Sequence, residues 1–268
     1  MARFLYILLF ALFLTSCSQY QKALKGDDVK LKYEVAEQLY EKGKYSKAER
    51  LFAQIAPSYS GKPQAEKLFY MYSQSLYKTK QYYTAGFQFE KFTASYPRSE
   101  KIEEASFLSA KSYYHLSPVY SLDQVDTYKA LDKLQLFIDT YPNSQYMPEA
   151  NALVQELRDK LDKKAYEIAK QYNTIADFTG DHNAAIKALD NFMIDHPGTK
   201  YKEDALFYKF DSSYRLAINS VPAKMEERLN AAKGNYSALI KFKADTKYKE
   251  KADDMLARIN TELQKFSK

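Results

Sequence analysis

From residue 29 onward, apolar residues recur three and four positions apart. Val35, Ala36, Leu39 and Tyr40 fall on one helical face, and after a break at Gly43-Lys44-Tyr45 so do Ala48, Leu51, Phe52 and Ile55. This spacing predicts two helices, A and B, separated by a short turn. A shift of 37 residues reproduces the pattern: Tyr33 falls on Tyr70 and Phe107, Leu39 on Leu76 and Tyr113, and Tyr40 on Tyr77 and Tyr114. Ala48 falls on Ala85, and Phe52 on Phe89. The small Ala lets helix B sit close to helix A, and the aromatic four residues later fills the space between repeats. Eight extra residues near SPVYSLDQ then separate Tyr114 from Ala130. Self-similarity at this period is the mark of a stacked helical array.

A ten-residue phrase separates the repeats: YPRSEKIEEA (96–105), YPNSQYMPEA (141–150), HPGTKYKEDA (196–205) and KADTKYKEKA (243–252). The residue before a proline is pushed out of the α region, which ends helix B. Ser99, Ser144, Thr199 and Thr246 are placed to N-cap the next helix A. Glu103, Glu104, Glu149, Glu203 and Asp204 suit the positive end of its dipole. Break, Ala, aromatic and Pro in this order form the tetratricopeptide pattern. The expected fold is all-α, a right-handed superhelical solenoid of about five such repeats. The units span 29–65, 66–102, 103–147, 148–202 and 203–249, and a helix from residue 250 caps the array. In the fourth unit, helix A is expected to run from about Pro148 to Phe178. Its unit position 1 is residue 148 counted from the joint and residue 166 counted back from helix B. That difference of 18 residues is five whole turns. Pro222 predicts a loop or a new helix start after Asn219.

The N-terminus changes the picture. Arg3 followed by the apolar run Phe4–Leu14 is too short for a hydrocarbon core of about 30 Å, so residues 1–16 read as a signal peptide. Leu14-Thr15-Ser16-Cys17 forms a lipobox, which makes Cys17 the lipidation site and residues 17–27 a tether. Ser18 after the cysteine points to the outer membrane, and no acidic cluster follows Cys17 to signal export to the cell surface. Cys17 is the only cysteine, so no disulfide can form within the chain. With 40 basic and 34 acidic residues interspersed, the charge of +6 reads as solvated helix faces and not as a nucleic-acid footprint.

No catalytic or cofactor motif stands out, and the expectation is a non-enzyme with no cofactor and no metal. The three histidines, His115, His182 and His196, lie far apart, and the last two fall at a turn and a joint where surface polar roles are expected. What remains is surface. On helix A, unit positions 5, 9 and 12 share one face: Tyr33, Glu37 and Tyr40; Tyr70, Gln74 and Tyr77; Phe107, Lys111 and Tyr114. Unit four places Lys170, Thr174 and Asp177 there, which interrupts the aromatic lining, and unit five resumes it with Phe207, Asp211 and Tyr214. One reading is a groove for extended or hairpin peptides with aromatic side chains. The other is that these rings pack against adjacent helices.

The order of parts carries a resemblance. The lipobox, the repeats, YPNSQY at 141–146, LRDKL at 157–161, YEIA at 166–169 and HPGT at 196–199 resemble the BamD family, lipoproteins of the outer-membrane β-barrel assembly machine. The resemblance covers nearly the whole mature chain. It implies a non-enzymatic role in folding and inserting β-barrel proteins. The C-terminal repeats would bind the POTRA domains of a BamA-like barrel subunit, with Phe207, Asp211 and Tyr214 as candidate contacts. The N-terminal repeats would receive unfolded outer-membrane protein substrates, to which the aromatic lining of units one to three is suited. The alternative is a periplasmic tetratricopeptide scaffold lipoprotein of cell-envelope machinery. Scaffolds of that kind usually add a coiled coil, and this chain has no heptad run. A nutrient-capture lipoprotein would need large loop insertions, for which there is little room.

Overall fold

The computed structural model describes residues 19–266, and the signal peptide and Cys17 lie outside them. Among the described residues every regular element is helical. They divide into two compact units: the first holds the residues up to Pro118 together with Leu122–Leu157, the second Val119–Ser121 with Arg158 onward.

In the first unit, α1 (residues 19–25) precedes three helix pairs. These are α2 (Val29–Glu41) with α3 (Tyr45–Tyr59), α4 (Ala65–Lys78) with α5 (Tyr82–Ser95), and α6 (Ile102–Leu116) with α7 (Val125–Thr140). Each helix packs on the next in chain order, and helix A also touches the next helix A. This is the helical-repeat solenoid that the 37-residue period predicts. The eight-residue insertion is the segment between α6 and α7. The long helix α8 (Met147–Thr179) has 33 residues, close to the predicted 148–178. Its first turns complete the core of the first unit through Ala150, Leu153, Val154 and Leu157.

The second unit holds the rest of α8, then α9 (His182–Asp195), α10 (Lys202–Ile218), α11 (Pro222–Phe242) and α12 (Lys249–Leu263). Pro222 is the first residue of α11, where its missing N–H costs nothing. Helix α12 packs on α10 and α11 through Ala252, Met255 and Ile259.

Three of the turns between helices A and B use a left-handed residue. Gly43 and Gly180 supply it at φ 68° and 73°, and Lys80 takes the same conformation at φ 62°. At the other end of each pair, Tyr96, Tyr141 and His196 leave helix B just before the proline, and their N–H groups still donate to Phe92, Phe137 and Phe192.

The joints differ from expectation in one respect. Ser99, Ser144, Thr199 and Thr246 do not occupy the N-cap position. Each sits two residues earlier, at the start of a tight turn. Its hydroxyl accepts the N–H of the residue two ahead, at 3.1, 3.0, 3.4 and 3.4 Å. The turn closes through a backbone bond from the first helical residue, as from Ile102 N–H to the Ser99 carbonyl at 3.1 Å. The hydroxyl is thereby free to donate to the preceding helix A. Ser99 donates to Glu66 at 2.6 Å, Ser144 to Glu103 at 2.5 Å and Thr246 to Glu203 at 2.6 Å. The first-turn acids therefore tie successive repeats together as well as matching the helix dipole.

Glu203 is the most heavily used of these. It accepts from Thr246, from Lys243 Nζ at 2.9 Å and from Lys247 N–H at 3.0 Å. The Thr246 hydroxyl above all, then Lys243, holds its carboxyl down to about 2 from the ordinary 4.5. A depressed folded-state pKa contributes stability that is complete above the unfolded value and fades as pH falls towards the folded one. Wild type should therefore melt above Glu203→Gln at pH 6, and the gap should close between about pH 4.5 and 2. A gap that stays constant over that window would refute the assignment.

Candidate functional site

The predicted face of helix A divides into three sets of residues. Position 5 is mostly structural. Phe107 and Phe207 are each only 2% exposed. Phe107 stacks on Tyr146 with centroids 4.8 Å apart, and Phe207 on Tyr248 at 3.8 Å. Their placement on a solvated lining is thus corrected: a ring from the following joint lies flat over each one. Tyr33 is half-buried and stacks on Tyr59 at 5.3 Å.

Unit four needs the same correction. Tyr166, and not Lys170, holds position 5, because it stacks on Tyr201 at 4.9 Å as Phe107 does on Tyr146. The stretch from position 5 to helix B is four residues longer than in unit two, about one extra turn, so counting back from helix B lands one turn late. Thr174 and Asp177 are exposed, and Lys170 lies over the Tyr166 ring at 5.8 Å. The joint aromatics Tyr146, Tyr201 and Tyr248 were the missed signal. They recur at the sixth position of the phrase, and YPRSEK has Lys101 there instead, with its ammonium 5.6 Å from the Tyr70 ring.

Position 9 links neighbouring A helices. Glu37 pairs with Lys67, Gln74 donates to Glu104 at 3.3 Å, and Lys111 pairs with Glu149 at 2.5 Å. Gln74 is buried. Asp211, 3% exposed, accepts from Asn173 at 3.0 Å and Arg215 at 2.9 Å. A carboxylate so enclosed serves α8 and α10 before any outside partner.

Position 12 keeps rings partly open. Tyr40 packs edge-on to Tyr45 at 5.5 Å, and Tyr77 to Tyr82 at 5.6 Å. The Tyr77 hydroxyl lies 3.2 Å from His115 Nε2, and the Tyr114 hydroxyl donates to Glu156 at 2.5 Å. That bond, and then burial, pushes the Tyr114 phenol up to about 12. Burial, and then Lys111, lowers the His115 pKa, so the ring is neutral at pH 7. Tyr214 is half-buried beside Asp211, and both line a cavity of about 730 Å³ in the second unit.

Two of the predicted groove residues, Tyr40 and Tyr70, line one cavity of about 440 Å³ with Lys67, Lys101 and Glu66 at its polar edge. Burial above all, then Glu104, raises the Tyr70 pKa, and burial raises that of Tyr40. Both phenols are neutral donors at any physiological pH.

The other two histidines diverge. His196 keeps a polar role at its joint, 2.8 Å from Asp162. His182 does not lie on the surface: it is 7% exposed, and burial lowers its pKa. Its Nδ1 finds no hydrogen-bond partner among the described residues.

A sequence-family model named YfiO, described as an outer membrane lipoprotein, matches residues 26–229. No curated protein matches the chain.

Proposed function

Since the chain belongs to the YfiO family of outer membrane lipoproteins, we propose that it is a lipid-anchored component of the β-barrel assembly machinery, on the periplasmic face of the outer membrane. It works by binding and not by catalysis. Its N-terminal repeats take up unfolded outer-membrane protein segments, and its C-terminal repeats hold the POTRA domains of a BamA-like barrel subunit. Membrane attachment runs through acyl chains on Cys17.

The observation that carries this reading is the Tyr40–Tyr70 cavity. About 440 Å³ suits one or two side chains of a peptide. Tyrosine walls offer broad apolar area with little rotamer entropy to lose. Lys67, Lys101 and Glu66 at the edge can orient a peptide by its charges. The Tyr77–His115–Tyr114 cluster lies on the next two A helices and extends the aromatic character along the same face.

The full chain should capture the partner's POTRA region in a pull-down, and absence of that partner would overturn the assembly role. Tyr40→Ala combined with Tyr77→Ala should weaken binding of an aromatic-rich substrate peptide about tenfold or more. Because both rings are only half-buried, the pair should cost no more than about 2–3 kcal/mol of stability. A larger loss with unchanged peptide affinity would assign these rings to the core.

A further inference from the structure

In the first unit the chain turns from helix A into helix B after Glu41, Lys78 and Leu116. These three turns lie at one edge of the stack, because each A helix ends there and each B helix starts there. The joints lie at the other edge. Stacked repeats set equivalent residues in a row. With Ala48, Ala85 and Ala130 in register, the row two places earlier reads Ser46, Tyr83 and Tyr128. Tyr83 and Tyr128 line no part of the Tyr40–Tyr70 cavity, and nothing in the proposed function uses them.

This edge is basic and aromatic at once. The first two turns carry Lys42, Lys44, Lys47, Lys78 and Lys80, with no Asp or Glu in 42–48 or 78–85. All five are exposed, and none belongs to an ion pair among the described residues. The joints at the other edge mix signs, with Glu66, Glu103 and Glu104 beside Arg98 and Lys101. Apolar side chains stand beside the lysines. Tyr83 and Tyr128 are 69% and 58% exposed, and Phe87 and Val125 are exposed with them. Lys129 Nζ lies 5.9 Å from the centre of the Tyr83 ring, which ties α7 to α5 along the row. Asp123 and Asp126 also stand at the third turn, and Asp123 is already bonded to the Val125 N–H at 2.9 Å. Rings left in water and framed by ammonium groups match the interface of a bilayer, where an apolar body and a polar tip are both satisfied.

We propose that this edge docks on an anionic phospholipid surface, with the lysines against headgroup phosphates and Tyr83, Phe87 and Tyr128 in the interface. The proposal rests on the acylation of Cys17, which places the bilayer. Tyr20 is 6% exposed in the core of the first repeat, and Lys47 Nζ lies 5.1 Å from the centre of its ring. Helix α1 is therefore held against the first turn of α3, at the same edge. Cys17 precedes Tyr20 by three residues, about 11 Å of extended chain at most. Acyl chains on Cys17 thus bring the bilayer to the edge that carries the lysines. One lysine near an anionic surface gains little, but five unpaired ones on a tethered body add up and set its orientation. An acidic protein would satisfy the lysines equally, but it would not account for the anchor beside them.

The test uses the full acylated chain in nanodiscs, with a fluorescent label on one introduced cysteine and nitroxide-bearing phosphatidylcholine as quencher. Asp126→Cys puts the label at the third turn, two repeats from the anchor, where the tether alone does not bring it to the bilayer. Glu100→Cys puts it at a joint. Both positions are exposed. In discs containing phosphatidylglycerol, the Asp126→Cys label should be quenched about threefold or more above the Glu100→Cys label. Discs of phosphatidylcholine alone, or raised salt, should remove most of that difference. So should the variant Lys42→Gln, Lys44→Gln, Lys78→Gln and Lys80→Gln, which should melt like wild type because all four side chains are exposed. Equal quenching of the two labels would overturn the proposal, as would a difference indifferent to lipid charge and to the lysines. Equal quenching together with capture of an acidic protein through the same lysines would make the edge a protein site and overturn it too. Mass spectrometry of the same sample reads the acyl chains. An unacylated chain would refute the anchor alone, and quenching of the Asp126→Cys label on phosphatidylglycerol vesicles would still decide the docking.

Discussion

Phe107→Ala should destabilise the chain by about 3–5 kcal/mol. The ring is 2% exposed and is held between Tyr146 at 4.8 Å and Phe137 at 5.3 Å. Around it stand Ala110, Leu134, Ala150 and Leu153. Truncation removes the transfer free energy of a whole ring and leaves a void that these neighbours cannot fill, because helical backbones on both sides fix their positions. The stacked geometry adds about 0.5–1.5 kcal/mol beyond area. Urea unfolding followed by circular dichroism measures it. By contrast, Tyr114, seven residues on along the same helix, is half-buried and bonded at its tip to Glu156. A loss below about 1 kcal/mol at Phe107 would show that its ring is dispensable to the core and would reopen a binding role for position 5.

Cys17→Ala should abolish fatty-acid labelling outright. The cysteine thiol is the only one in the chain, so no second thiol can take the acyl group. Each buried methylene contributes about 0.8 kcal/mol, and one chain alone gives marginal membrane binding. Stable attachment therefore needs several chains. Among the described residues no helix is long and apolar enough to cross a membrane, so residues 19–266 offer no helical substitute. Fractionation is the weaker readout, since a precursor that keeps its Phe4–Leu14 run can stay membrane-bound unprocessed. Labelling with radioactive palmitate is decisive: persistent label in Cys17→Ala would refute the lipobox reading.

Much of the architecture was legible because stacked helices must bury one face. That requirement writes Ala48, Ala85, Ala130 and Ala185 at the same place in successive repeats, and all four are fully buried. The segment 117–124 and the start of α11 at Pro222 were legible for the same reason: insertions and prolines break a period that packing otherwise enforces. The serine and threonine of the joints were identified correctly as hydrogen-bonding residues, but their position was two residues off. The missing knowledge was the tight turn ahead of helix A, which frees the hydroxyl for Glu66, Glu103 or Glu203.

The aromatic face shows where reading stopped. Positions 5, 9 and 12 do share a helix face, since their spacing of four and seven residues returns within a fraction of a turn. Which part of that face is covered depends on the next repeat, and specifically on whether its joint carries a ring. Tyr146, Tyr201 and Tyr248 cover position 5 in three repeats, and Lys101 leaves Tyr70 beside a cavity in another. The register of unit four failed because a helix looks nearly the same after one added turn, so periodicity cannot separate Tyr166 from Lys170. The sequence by itself thus determined the helical repeat and the order of its helices, because these follow from local spacing and from the need of every helix to bury a stripe. Only the tertiary structure decided which tyrosines became core and which stayed partly open, because that depends on contacts between residues some 35 to 41 positions apart, which the spacing within one helix does not specify.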